Sequence, residues 1–262
     1  MMEKEGTEMR ILEKIDTHPV YVEPFHVDFT GRIFMGVLGN HLLNAAGNHS
    51  QRRGWGIGAL NESHHTWVLS RLSIEMMDMP RQYEHVEIKT WVESVIRLFT
   101  NRNFSILRPD GTPCGYARSI WAMIDMETRR PCDLLSLYEG DILNYVVSEE
   151  ENVCPIEGHG RFRFRDAQLV RTLDTYYSDV DINGHINSIK YIEHILDVFP
   201  RDLFLNGIRR FEIAYKTESY MGDRLSFYLQ TISDAEYDVE VRKNASDEAP
   251  GEVVCQAKVR FN

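Results

Sequence analysis

The strongest constraint on this chain is an internal repeat: the order strand, helix, then about four strands is written twice along 262 residues. The strands show as period-two alternation. Val86, Ile88, Thr90 and Val92 fall on one face, with Glu87, Lys89, Trp91 and Glu93 on the other. The same pattern returns at Leu225, Phe227 and Leu229, at Tyr237, Val239 and Val241, and from Val253 to Phe261. Such alternation marks strands with one buried and one wetter face. Two segments carry helical spacing instead, residues 34–53 with Leu38, Leu42 and Ala45, and 187–199 with Ile189, Ile192, Leu196 and Phe199. Each is preceded by a strand, expected at 20–29 and 162–171.

Residues support the pattern. Ser70-Arg71-Leu72-Ser73-Ile74 stands 139 positions before Arg209-Arg210-Phe211-Glu212-Ile213, and at that offset Glu84 meets Asp223, Val86 meets Leu225 and Ile88 meets Phe227. Turns are expected at Pro109-Asp110-Gly111 and over the polar run 244–251. The halves are read as 1–130 and 161–262, joined by a linker, 131–160, that carries Glu149-Glu150-Glu151. Strands following strands exclude a doubly wound parallel sheet. The expected class is α+β, two tandem antiparallel sheets, each wrapped around a long helix.

With 40 acidic and 29 basic residues, the net charge of −11 argues against a nucleic-acid binder, which needs a basic face. Cys114, Cys132, Cys154 and Cys255 form no C-x-x-C pair and read as reduced thiols. The first ten residues hold no apolar core of a secretory signal, and no run is long enough to span a membrane, so a cytoplasmic protein is expected. There is no P-loop, H-E-x-x-H or G-x-S-x-G, and no ligand set completes His64-His65. No metal or other cofactor is expected.

The dense constellation is Ser178-Asp179-Val180-Asp181-Ile182-Asn183-Gly184-His185-Ile186-Asn187, just ahead of the second helix. Asp and Asn there serve helix-start and turn chemistry. A histidine added at a helix N-terminus brings proton transfer and amides that can hold an oxyanion. Glu218 lies downstream. The 139-residue offset sets Met79 and Pro80 against Glu218 and Ser219, and nothing resembling D-x-N-x-H is expected before the first helix. One half carries polar chemistry and the other supplies an apolar pocket, which suits one active site per chain.

These residues carry a family resemblance. The 178–187 run resembles the S-D-x-D-x-N-x-H-x-N segment of the acyl-acyl-carrier-protein thioesterases of plant and bacterial type. Thr66-Trp67-Val68-Leu69-Ser70-Arg71 is similar to a W-V-x-x-R strand of that family. Ala117-Arg118-Ser119-Ile120-Trp121-Ala122-Met123 with Thr128-Arg129-Arg130 is similar to its A-x-S-x-W-x-M…T-R-R stretch, and Tyr215-Lys216-Thr217-Glu218-Ser219 to its Y-R-R-E-C segment. The resemblance implies two tandem hotdog folds that hydrolyse fatty acyl-acyl carrier protein, with Asp181, Asn183, His185 and Glu218 as the catalytic set. Ser219 stands where plant members have cysteine, which makes a thiol nucleophile implausible here.

A carboxylate, Asp181 or Glu218, is expected to act as base or nucleophile. The acyl pocket is assigned to Trp67, Met76, Met79 and Ser219. The partner implied is the carrier's phosphopantetheine thioester, docked on Arg129, Arg130, Arg209 and Arg210, since an acidic carrier needs a local basic patch. A coenzyme A thioesterase and a non-catalytic acyl-thioester sensor stand as alternatives, and exposed sheet edges leave room for a homodimer.

Overall fold

The computed structural model describes residues 13–246 and 249–262. Its strands are β1 (Asp16–Tyr21), β2 (His65–Met76), β3 (His85–Ile96), β4 (Phe99–Leu107), β5 (Pro113–Asp125), β6 (Gln168–Asp174), β7 (Ile208–Tyr215), β8 (Arg224–Thr231), β9 (Glu236–Lys243) and β10 (Glu252–Phe261). The helices are α1 (Met35–Arg52), α2 (Ile57–Glu62), α3 (Ser188–Leu196) and α4 (Arg201–Asn206). All ten strands join one sheet in the order β1-β3-β4-β5-β2-β7-β10-β9-β8-β6, with β1 and β6 at its edges.

Read outward from the centre, each half runs through its strands in the same order. At the centre β2 pairs antiparallel with β7, and Ser73 sits opposite Glu212. Those two residues are 139 positions apart, the offset that relates the two sequences. The pseudo-twofold axis of the repeat therefore passes through this pair. The halves are fused by a strand ladder into one continuous sheet.

Burial follows the alternation. On β2 and β7 the residues Leu72, Ile74, Met76, Phe211 and Ile213 are buried beneath the helices. Each such side chain contributes about 1.5–3 kcal/mol through removal from water. α1 buries Leu38, Leu42, Ala45 and His49, spaced four, three and four apart, and α3 buries Ile189, Ile192 and Ile195. The two helices meet where Gly36 and Gly39 leave room. A Cβ at Gly36 would stand 2.9 Å from Glu193 Cγ, and one at Gly39 3.1 Å from Ile189 Cδ1.

Three expectations shift. The first strand ends at Tyr21 and not near residue 29, because Glu23-Pro24 opens a short helical turn, Pro24–His26. β6 begins at Gln168, not 162. The alternating Arg161, Phe162, Arg163 and Phe164 mimic a strand but join no ladder, and Arg71 lies over the Phe162 ring at 5.9 Å. The segment 131–160 is a strap, not a loose linker. It buries Leu134, Ile142, Val147, Cys154 and Ile156. Asn152 Oδ1 accepts from Trp91 Nε1 at 2.9 Å, and Arg210 donates to the carbonyls of Glu157 and Gly158 at 3.0 Å.

The strap covers the polar face of the β2–β7 junction. There His159 Nδ1 and Ser73 Oγ lie 2.7 Å apart, and burial pulls the His159 imidazole down to about 4. Cys114, Cys132, Cys154 and Cys255 are free thiols, and all but Cys132 are buried. Among the described residues no helix is long and apolar enough to cross a membrane.

Candidate active site

The loop between β6 and α3 positions the D-x-N-x-H run by its own hydrogen bonds. Asp181 Oδ1 accepts the N–H groups of Asn183 at 2.8 Å and His185 at 3.2 Å. Asp181 N–H donates to the His185 carbonyl at 2.8 Å, and Gly184 turns the chain at φ 80°. Asn187 caps α3 by accepting from Ile189 N–H at 2.9 Å. Ile186 N–H donates to the Ser219 carbonyl at 2.8 Å, which ties the loop to the segment after β7.

That tie brings His185 and Glu218 together. His185 Nε2 lies 3.5 Å from Glu218 Oε2, with side chains 25% and 34% exposed, so both are reachable from solvent. The Tyr220 hydroxyl approaches the same carboxylate oxygen at 3.5 Å, and the Tyr220 ring stands edge-on to His185 at 5.3 Å. Lys243 Nζ donates to the Glu218 carbonyl at 2.7 Å. Arg129, from the turn after β5, forms an ion pair with Glu218 Oε1. Sequence reasoning missed Tyr220, Lys243 and the Arg129 contact. The T-R-R run is a visible signal for the last of these, although in the sequence it resembles a docking surface.

Ser219 is fully buried. Its hydroxyl and the Tyr191 phenol each lack a well-formed hydrogen bond, although they lie close enough to interact. Burial pushes the Tyr191 phenol well above its ordinary value. Neither group is a base or nucleophile open to a substrate. Among the described residues no cluster of three or more His, Cys, Asp or Glu is arranged to hold a metal ion.

The first half contains a twin of the loop, which corrects the expectation that none precedes α1. Val27-Asp28-Phe29-Thr30-Gly31-Arg32-Ile33-Phe34 matches Val180-Asp181-Ile182-Asn183-Gly184-His185-Ile186-Asn187 at an offset of 153. The backbone bonds match one for one. Asp28 Oδ1 accepts Thr30 N–H at 2.7 Å, Asp28 N–H donates to the Arg32 carbonyl at 2.8 Å, Gly31 has φ 76°, and Ile33 N–H donates to the Pro80 carbonyl at 2.8 Å. The strands keep an offset of 139, so a comparison at that single offset passes the twin by. The greater length of α1, 18 residues against 9 in α3, with the earlier start of β2, separates the two registers.

The expected pocket does not come together. Trp67 lines a cavity of about 310 Å³ between α1 and the first half of the sheet, with Leu43, Thr100, Arg102 and Trp121. Met79 lines a different cavity, of about 700 Å³, beside the twin loop and α4. Met76 is in the core, nine residues along β2 from Trp67 or roughly 30 Å of strand. The site lies at the Trp67 end, because β7 runs antiparallel to β2 and Glu218 follows its last residue.

The docking arginines also divide. Arg210 is 3% exposed and paired with Glu75 and Glu212, and Arg209 is held by Glu75 and the Met76 carbonyl. Both knit β2 to β7, so neither forms a docking face. Arg129 is engaged with Glu218, and Arg130 is exposed.

The acyl-ACP thioesterase N-terminal domain family matches residues 17–139, and the acyl-ACP thioesterase C-terminal domain family matches 164–262. Among curated relatives, the oleoyl-acyl carrier protein thioesterase 2, chloroplastic, of Arabidopsis thaliana is 25% identical over 217 residues, covering 77% of this chain and 59% of that protein. The palmitoyl-acyl carrier protein thioesterase, chloroplastic, of Gossypium hirsutum is 25% identical over 236 residues, covering 86% and 55%. The chain thus spans little more than half the length of the curated relatives it matches.

A solved acyl-ACP thioesterase from Bacteroides thetaiotaomicron is 54% identical, with a TM-score of 0.88 over 95% of this chain and 98% of that one. The 12:0-ACP thioesterase from Umbellularia californica, 18% identical with a TM-score of 0.80 over 96% and 98%, shares the double hotdog fold.

Proposed function

The chain belongs to the acyl-ACP thioesterase family, and from that membership we propose that it hydrolyses fatty acyl-acyl carrier protein to free fatty acid and holo-acyl carrier protein. The observation that carries this reading is the meeting of Glu218 and His185 in one half only. Its twin loop has Arg32 in place of His185, and the 139 offset sets Met79 in place of Glu218.

Glu218 is the general base. It takes a proton from a water that attacks the thioester carbon, while His185, 3.5 Å away, orients the carboxylate. The exposed Asn183 carboxamide donates to the developing oxyanion. The first-turn amides of α3 are a weaker choice, because Ile189 N–H is taken by the Asn187 side chain and Lys190 N–H by the Asn187 carbonyl. The C–S bond then breaks, and the phosphopantetheine sulfur leaves as a thiolate, stable enough to need little acid assistance. Asp181 shapes the loop. Its carboxylate is occupied by backbone N–H groups, as Asp28 is in the half without the histidine.

The acyl chain extends into the cavity under α1, against Trp67 and Trp121. Four free thiols suit a reducing, cytoplasmic setting. The test is thiol release from acyl carrier protein and coenzyme A carrying the same acyl group. Turnover of the carrier substrate is expected, with a lower kcat/KM for the coenzyme A thioester. Release from neither points to a binding module.

A further inference from the structure

The turn after β5 is built to hold one arginine in an unfavourable backbone state. Asp125 Oδ1 accepts Thr128 N–H at 2.6 Å, the Thr128 hydroxyl at 2.8 Å and Glu127 N–H at 3.2 Å. Asp125 N–H donates to the Arg130 carbonyl at 3.0 Å, and Arg129 N–H donates to the Asp125 carbonyl at 2.9 Å. This closed turn sets Arg129 at φ 58°, in the left-handed region that favours glycine. Strain of this kind persists where the surrounding structure imposes it, and it gathers at functional sites.

What the strain achieves is visible in the side chain. Arg129 belongs to the first half, yet its guanidinium reaches Glu218 of the second half at the oxygen opposite the one that faces His185. The Glu218 backbone is fixed in turn by Lys243. A carboxylate held by a planar guanidinium on one oxygen has a set orientation on the other.

We infer that Arg129 is a positioning residue that acts through Glu218, so that the active site is completed across the two halves and not within the second alone. The inference rests on the hydrolytic reading proposed above. It also moves Arg129 from the carrier-docking surface to the reaction centre.

The experiment compares R129M, R129K and R129G with wild type on acyl-acyl carrier protein and on a small acyl-pantetheine thioester. For R129M and R129G, kcat falls on both substrates by about 10²-fold, the scale of a roughly 1 Å misplacement, with KM little changed. R129G keeps a thermal midpoint close to wild type, because glycine accepts the left-handed conformation, so the lost turnover is not lost folding. R129K restores part of the rate.

Adding R129M to E218Q lowers kcat no further, as expected for a residue that works through Glu218. A raised KM confined to the carrier substrate, or multiplicative losses in the double variant, overturns the proposal. Crystal structures of wild type and R129M read the same point without turnover. A displaced Glu218 carboxylate in R129M supports positioning, and an unmoved one overturns it. Wild type that turns over neither substrate refutes hydrolysis instead, and the crystallographic comparison still decides Arg129.

Discussion

The loops 27–34 and 180–187 share one backbone and divide the chemistry. Each has an aspartate whose carboxylate accepts the N–H two residues on, each turns on a glycine of positive φ, and each is tied by an isoleucine N–H to a neighbouring carbonyl. They differ at Phe29 against Ile182, Thr30 against Asn183, Arg32 against His185 and Phe34 against Asn187. Arg32 is absorbed into structure, donating to the Phe204 and Leu205 carbonyls at the end of α4, whereas His185 faces Glu218. A feature present in both loops reports the fold. A feature present in one reports the reaction.

The largest effect expected from that distinction is at Glu218. E218Q lowers kcat for acyl-acyl carrier protein at least ~100-fold, the scale of a positioned base, while Met79→Leu at the corresponding place leaves kcat near wild type. Steady-state thiol release reads both. Next comes His185→Arg, which gives the second loop its twin's residue. A fall of about 10²-fold is expected, again on the scale of an acid–base group, and full activity would remove His185 from the mechanism.

Asp181 separates the two readings of the motif. Asp181→Asn keeps a side-chain oxygen for the loop and costs less than about tenfold in kcat, well short of the ~10²-fold loss of a positioned base. A loss as large as that of E218Q would return Asp181 to proton transfer. Asp28→Ala and Asp181→Ala each remove a loop cap worth ~1 kcal/mol, and in a chain of this size each lowers Tm by about 2–4 °C. Only the second lowers turnover. Unequal Tm losses would break the structural equivalence of the loops.

A separate effect concerns stability and pH. Burial holds His159 down to about 4 and His49 to about 3, with Arg102 adding to the latter. Both fold neutral, and the unfolded chain binds the extra protons. Their contribution is therefore present above ~6.5, the ordinary histidine value, and is lost as pH falls towards the folded values, by at most about 1.4 kcal/mol per unit for each group. Denaturant midpoints measured from pH 7 to 4.5 fall on this account, and His159→Gln flattens the slope at the β2–β7 junction. A pH-independent midpoint over that range would remove both histidines from the account.

Much of the molecule was legible before the structure. The paired order of elements and the span of α1 follow from period-two and helical spacing, because each half must bury its own apolar face, whereas the pairing of β2 with β7 does not. Only with the observed β2–β7 register does the 139-residue offset place the pseudo-twofold axis at Ser73 and Glu212. His185 and Glu218 stood out by chemical type. Their meeting across 33 residues of chain was expected from a resemblance and is produced by one backbone hydrogen bond from Ile186 to Ser219.

Other features needed three dimensions. Met76 and Met79 look like neighbours of Trp67 on one strand, but a strand rises about 3.3 Å per residue, so they serve the far end of the sheet. Arg209 and Arg210 look like a docking patch until Glu75 and Glu212 are found opposite them. Sequence by itself determined the repeat, the burial pattern and the residue types available for chemistry, since periodicity is a local property of the chain. Tertiary structure alone decided which carboxylate shapes the loop and which faces the histidine. It also decided that Arg129 of one half pairs with Glu218 of the other, because hydrogen-bond partners and ion pairs are set by approach in space and not by spacing in sequence.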